Sequence, residues 1–143
     1  MILCDANLLL YAYDASSDSH ERSRRWLEGV LSGDEPVGLA WVTLLAFLRI
    51  STNARAVLHP LGVDEAAAIV SSWLALPCVT VPAPGPRHWE ILEQVLRSAQ
   101  ARGPLVTDAH LAALAIEHGA TLASADRDFA RFEGLAFLNP LAA

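Results

Sequence analysis

Thr107–Leu135 reads TDAHLAALAIEHGATLASADRDFARFEGL, and its punctuation decides the architecture. Thr107 offers its hydroxyl as N-cap to DAHLAALAIEH, a helix stopped at Gly119, where glycine can turn the backbone left-handed. Ala120–Ala125 then reads as a strand, Asp126–Arg131 as a helical turn and Leu135–Leu138 as a last strand. The two carboxylates Asp126 and Asp128 fall directly behind the first of these strands. An Asp there can cap a first turn by accepting from its unpaired N–H groups. The same place is also where an open α/β sheet puts its ligands, outside the carboxyl ends of the strands.

Working outward, the N-terminus shows the same motif. Met1–Cys4 is a short apolar run ended by Asp5, and ANLLLYAYD follows with helical spacing, Asp5 or Asn7 standing near its cap. Ser19–Leu31 is an amphipathic helix with Arg outward and Trp26, Leu27, Val30 and Leu31 inward. Pro36–Ala40 is a strand, Thr43–Ser51 a buried helix, and Asp64–Leu76 a helix with an acidic first turn. Cys78–Val81 is a strand followed by the breaker PAPGP, and Arg87–Arg102 a long amphipathic helix closed by Gly103-Pro104. Strands separated by helices predict one α/β domain over residues 1–143. Its expected form is a three-layer sandwich, a central mainly parallel sheet flanked by helices on both faces.

Composition narrows the chemistry. The chain has 143 residues, 53% of them hydrophobic, more apolar surface than a small monomer readily hides, so a homodimer or an apolar partner is expected. All ten basic residues are Arg. The absence of Lys removes a P-loop and a Schiff-base enzyme. Cys4 and Cys78 form no C-x-x-C pattern and read as reduced thiols. The N-terminus lacks a signal-peptide pattern, and the longest apolar run, Val37–Leu48, is too short for a bilayer; a soluble cytoplasmic protein with no membrane contact is expected.

Asp5, Asp126 and Asp128 follow strands, and Asp108 opens a helix, reaching the same edge if the preceding PLVT segment approaches the sheet. Taken singly each is an ordinary cap or solvated acid; together they deliver carboxylates to one end of one sheet. Apposed carboxylates raise each other's pKa unless a cation lies between them. Hard divalent ions such as Mg²⁺ or Mn²⁺ take oxygen ligands, keep waters and bind phosphate, which points to phosphodiester hydrolysis. His110 and His118 have no third zinc ligand at useful spacing and read as surface or supporting groups.

With these residues in place, MILCDANLLLYA, AFLRIST and TDAHLAALAIEHGATLASADRDFARFEGL together resemble the PIN-domain ribonucleases of the VapC-type bacterial toxins, end to end. The resemblance implies a PIN-like fold and a Mg²⁺-dependent endoribonuclease, with Mn²⁺ as a substitute ion. It further implies the toxin role in a type II toxin-antitoxin pair, with RNA as substrate and a small cognate antitoxin as partner. Asp5, Asp108 and Asp126 match the family's metal-binding acids, and Asp128 the further acid two residues on, giving four catalytic candidates. Asn7 and Ser124 match the polar groups beside the first and third acids, and Arg49 is a supporting or substrate-contacting candidate. One departure stands out: the family's EFLR has Glu where this chain has Ala46. That loss implies a single-metal or weakly bound metal site.

The net charge of −6 opposes RNA binding at first sight, but setting aside the four site aspartates leaves −2. Arg22, Arg24, Arg25, Arg49, Arg55, Arg127 and Arg131 then remain for phosphates. Three rival readings follow from the residues. One is an inactive protein of the same fold, kept for RNA or antitoxin binding because of Ala46. An aspartyl-phosphate phosphatase would need D-x-D and a Lys, where this chain has Asp5-Ala6-Asn7 and no Lys. A Rossmann nucleotide site would need glycine in the first strand-to-helix turn. Among the apolar residues, Trp41, Leu44, Leu45, Phe47 and Leu48 crowd more than one helix face and are candidates for an antitoxin groove.

Overall fold

The structure, a computed structural model, describes residues 1–142. Its strands are β1 Ile2–Cys4, β2 Val37–Gly38, β3 Val79–Thr80, β4 Thr121–Ala123 and β5 Ala136–Leu138. Its helices are α1 Ala6–Ala12, α2 His20–Leu31, α3 Trp41–Ser51, α4 Val63–Leu74, α5 His88–Ala99 and α6 Leu105–Glu117. A 3₁₀ turn, Arg127–Arg131, follows β4. The sheet order is β3-β2-β1-β4-β5 and every pairing is parallel. Parallel neighbours need crossover connections: α1 and α2 join β1 to β2, α3 and α4 join β2 to β3, α5 and α6 join β3 to β4, and the 3₁₀ turn joins β4 to β5.

Alternation along the strands sorts the helices between the two faces. In β1, Leu3 packs with Ile91, Val95, Leu111 and Leu114 of α5 and α6, while Cys4 packs with Leu9, Leu27, Leu44 and Trp73 of α1 to α4. Successive side chains of a strand point to opposite faces, so adjacent residues serve opposite cores. β2 sits so close beneath Met1, Leu3 and Pro82 that a Cβ on Gly38 would stand 2.9 Å from Leu3 Cδ1. No helix among the described residues is long and apolar enough to cross a membrane. Cys4 and Cys78 are free thiols; burial, then the charge of Asp5, pushes Cys4 up to about 12.

Three local expectations are corrected. The Arg87–Arg102 helix ends at Ala99, because Gln100 adopts the left-handed conformation, φ 50°, and its N–H bonds Arg97 O. Gly103-Pro104 therefore starts the next element, and Pro104, with φ fixed near helical values, is the N-cap of α6. Thr107 lies inside the first turn rather than capping it. Lastly, α3 is buried on one side only: Leu44 and Phe47 are fully buried, but Trp41 and Leu45 are more than half exposed.

Candidate functional site

The register of the two central strands brings the first and third acidic positions together. Cys4 pairs with Ala123, and the Asp5 N–H donates to Ala123 O at 2.9 Å, so Asp5 and Ser124 emerge side by side at the carboxyl edge of the sheet. The Asp5 carboxylate is held at both oxygens. Oδ1 accepts the Ala6 N–H at 2.8 Å, which caps α1, and Oδ2 accepts the Ser124 hydroxyl at 2.7 Å. Ser124, fully buried, also accepts from Asn7 Nδ2 at 3.1 Å and from the Asp126 N–H at 3.0 Å. Asn7 completes the ring by accepting the Ala125 N–H at 3.3 Å. One hydroxyl thus organises Asp5, Asn7 and Asp126.

Asp108 arrives from another element. The N-terminal end of α6 meets those of α1 and α3 around a cleft of about 140 Å³. Its walls are Asp5 and Ala6, then Val42, Thr43 and Ala46, then Thr107, Asp108 and Leu111. Burial pushes Asp108 up to about 6, helped by the charges of Asp5, Asp126 and Asp128. Asp5 is also raised, by burial first and by Asp126 as well, while the Ser124 and Ala6 hydrogen bonds pull it back. Low dielectric and like charge disfavour ionisation of both acids. Asp126 and Asp128 are not walls of this cleft. Asp126 accepts the Asp128 N–H at 2.9 Å, capping the 3₁₀ turn, and Asp128 is exposed. Capping and electrostatic assembly are both true of Asp5 and Asp126.

The position where the resemblance expects an acid, Ala46, faces the same cleft as Asp5 and Asp108. Among the described residues, no three His, Cys, Asp and Glu side chains converge closely enough to enclose an ion alone. The donors present are carboxylate and hydroxyl oxygens, which suit a hard divalent ion that keeps several waters. Asp5 and Asp108 would hold it, with water and phosphate oxygens filling the remaining positions.

Arg49 is placed elsewhere. It lines an apolar groove of about 430 Å³ between α3 and α4, with Leu45, Leu48, Thr52, Val63, Ala66 and Ala67. Helical rotation accounts for the split: α3 turns Val42, Thr43 and Ala46 toward the acids and Leu45, Leu48, Arg49 and Thr52 toward α4. Arg49 makes no ion pair among the described residues. Other arginines are committed. Arg24 pairs with Glu21 and Glu28, Arg25 with Glu21, and Arg22 donates to Leu141 O at 2.7 Å. Arg127 and Arg131, on the turn beside Asp126, are exposed and make no ion pair among the described residues.

The histidines do more than sit on the surface. His110 Nδ1 lies 3.0 Å from His88 Nε2, His88 Nδ1 is 3.9 Å from Glu117, and Glu117 accepts the Gly85 and Arg87 N–H groups. His118 Nε2 donates to Ala83 O at 2.8 Å. Together they fasten the PAPGP loop to α6. Sequence reasoning missed this lock, and it missed the place of Val42, Thr43 and Thr107 in the cleft. A usable signal existed for the α3 residues: Val42 and Thr43 lie four and three positions before Ala46, one helical turn away.

The family model for the PIN domain matches residues 2–135. This chain belongs to the PIN domain family. It is 46% identical over 140 residues to Ribonuclease VapC37 of Mycobacterium tuberculosis, covering 98% of this chain and 97% of that protein. It is 40% identical over 141 residues to Ribonuclease VapC33 of the same species, covering 99% of each. A chain of a toxin-antitoxin complex from Klebsiella pneumoniae shares the fold, with a TM-score of 0.64 at 16% identity over 98% of both chains. The family rests on the model match over residues 2–135 and on the full-length likeness to these relatives.

Proposed function

We propose that this PIN-domain chain is a Mg²⁺-dependent endoribonuclease, with Mn²⁺ as a substitute, acting in the cytoplasm as the toxin of a type II toxin-antitoxin pair. The observation that carries the reading is the cleft in which Asp5 and Asp108 stand together, in a chain 46% identical to a protein named a ribonuclease. A bound divalent ion would polarise a phosphoryl oxygen and acidify a water. Asp5, fixed at both oxygens, and Asp108 would hold the ion. Asp126 would contribute its charge from the rim, with Asp128 outside it. Ala6, Val42 and Leu111 give the cleft apolar walls, which would strengthen the pull of the acids on a cation. Arg127 and Arg131, exposed and without an ion pair among the described residues, would meet phosphates. Arg22, Arg24 and Arg25, committed to their own partners, are not.

The groove between α3 and α4 suits an apolar segment of the antitoxin, with Arg49 at its lip to meet an acidic group. The homodimer reading rests on the remaining apolar surface, where Trp41 and Trp89 are 56% and 64% exposed. The inactive-protein alternative is not favoured, since Ala46 leaves Asp5 and Asp108 in one cleft. Incubation of the purified chain with total RNA tests the reading. Cleavage in Mg²⁺, its loss in EDTA and its loss in Asp108→Asn are expected; EDTA-resistant cleavage, or full activity in Asp108→Asn, would overturn it.

A further inference from the structure

A ribonuclease must distinguish RNA from DNA, and the group that makes the difference is the 2′-hydroxyl, both donor and acceptor. Ionised carboxylates only accept. The neutral polar side chains around the cleft are few, and nearly all are spent. Ser124 is fully buried, donating to Asp5 and accepting from Asn7 and Asp126. Asn7 uses its amide nitrogen on Ser124 and its oxygen on the Ala125 N–H. Thr43, 2% exposed, donates its hydroxyl to Cys4 O at 3.3 Å.

Thr107 differs from all of them. It lines the cleft beside Asp108, its side chain is exposed, and no hydrogen bond engages its hydroxyl among the described residues. Its sequence position suggests an N-cap, but Pro104 occupies that place, so the fold gives its hydroxyl no structural task. Ala46 lines the same cleft with only a methyl group.

We propose that Thr107 is a specificity-determining residue that hydrogen-bonds the ribose 2′-hydroxyl of the nucleotide lodged in the cleft. The inference rests on the nuclease reading above and deepens it by naming the group that selects RNA. Donor and acceptor are both available on each side, so the pair can form in either sense. An opposing deoxyribose leaves the Thr107 hydroxyl without this partner.

The test is fluorescence anisotropy of a labelled single-stranded oligoribonucleotide and of its all-deoxy counterpart, in Ca²⁺ buffer with strand integrity checked on a gel. Wild type, Thr107→Val and Thr107→Ser are compared. Wild type should prefer the ribo strand. Thr107→Val, similar in shape but without the hydroxyl, should reduce that preference by about three- to tenfold, the yield of one neutral hydrogen bond. The loss should fall on the ribo strand alone, and Thr107→Ser should restore it. An unchanged preference in Thr107→Val, or equal weakening of both strands, would overturn the proposal while leaving the nuclease reading intact. Failure of wild type to bind either strand would overturn both.

Discussion

The Ser124 hydroxyl donates to Asp5 Oδ2 at 2.7 Å across 119 residues of sequence. This bond couples the end of β1 to the end of β4, and Asn7 and the Asp126 N–H both use the same oxygen. Ser124→Ala would leave several half-buried polar groups unpaired. It should destabilise the fold by about 1–3 kcal/mol in urea unfolding. A loss below a few tenths of a kcal/mol would show that water replaces the hub.

Burial pushes Asp108 up to about 6, and burial raises Asp5 as well. For a carboxyl whose folded pKa exceeds its unfolded value of about 3.8, the folded state binds the extra proton, and stability falls as pH rises between the two values. Metal-free protein should therefore lose stability between about pH 4 and pH 6 on account of Asp108. Asp108→Asn should remove that slope and stabilise the metal-free protein near neutral pH by on the order of 1 kcal/mol once solvent screening of this half-exposed group is counted. Thermal unfolding across this range in EDTA measures it; a Tm that changes identically from pH 4 to pH 6 in wild type and variant would contradict the assignment.

Much of this was legible from the residues. β1 followed by Asp5, and β4 followed by Ser124 and Asp126, carry their meaning in sequence because a strand's end and the cap after it are local events. Asp108 was harder. Its approach to Asp5 depends on how α6 packs, and Pro104 starts that helix three residues before Thr107, so Thr107 looked like a cap when it is a wall of the cleft. The place of Arg49 was hidden for a related reason: one helix, α3, forms the walls of two concavities, and only packing shows which side faces the acids. The His88–His110 contact spans 22 residues and two helices, and no periodicity announces it.

Ala46 shares the cleft with both acids. Ala46→Glu should tighten Mn²⁺ binding about tenfold or more by adding a charged oxygen ligand. It should also lower the metal-free Tm, since a third carboxylate repels the others. Isothermal calorimetry reports the first effect; an unchanged Kd would mean that position 46 does not reach the ion.

Leu45 and Phe47 are close neighbours on α3 with opposite fates. Phe47 is fully buried, with edge contacts to Tyr13 and Trp73, so Phe47→Ala should cost about 3–5 kcal/mol. Leu45 is 59% exposed in the α3–α4 groove, so Leu45→Ser should change stability by less than about 0.5 kcal/mol. It should nevertheless weaken capture of the cognate antitoxin, by about 1 kcal/mol or more in a titration. Undiminished antitoxin affinity would move the partner to another face.

The most direct test of the acidic cleft needs no RNA: thermal unfolding with and without Mn²⁺, for wild type and for Asp5→Asn. A site built on Asp5 and Asp108 predicts about 2.7 kcal/mol of stabilisation when Mn²⁺ stands at a hundredfold excess over its dissociation constant, largely lost in Asp5→Asn. Wild type whose unfolding ignores Mn²⁺, or an Asp5→Asn variant that gains as much from the ion as wild type does, would contradict the account.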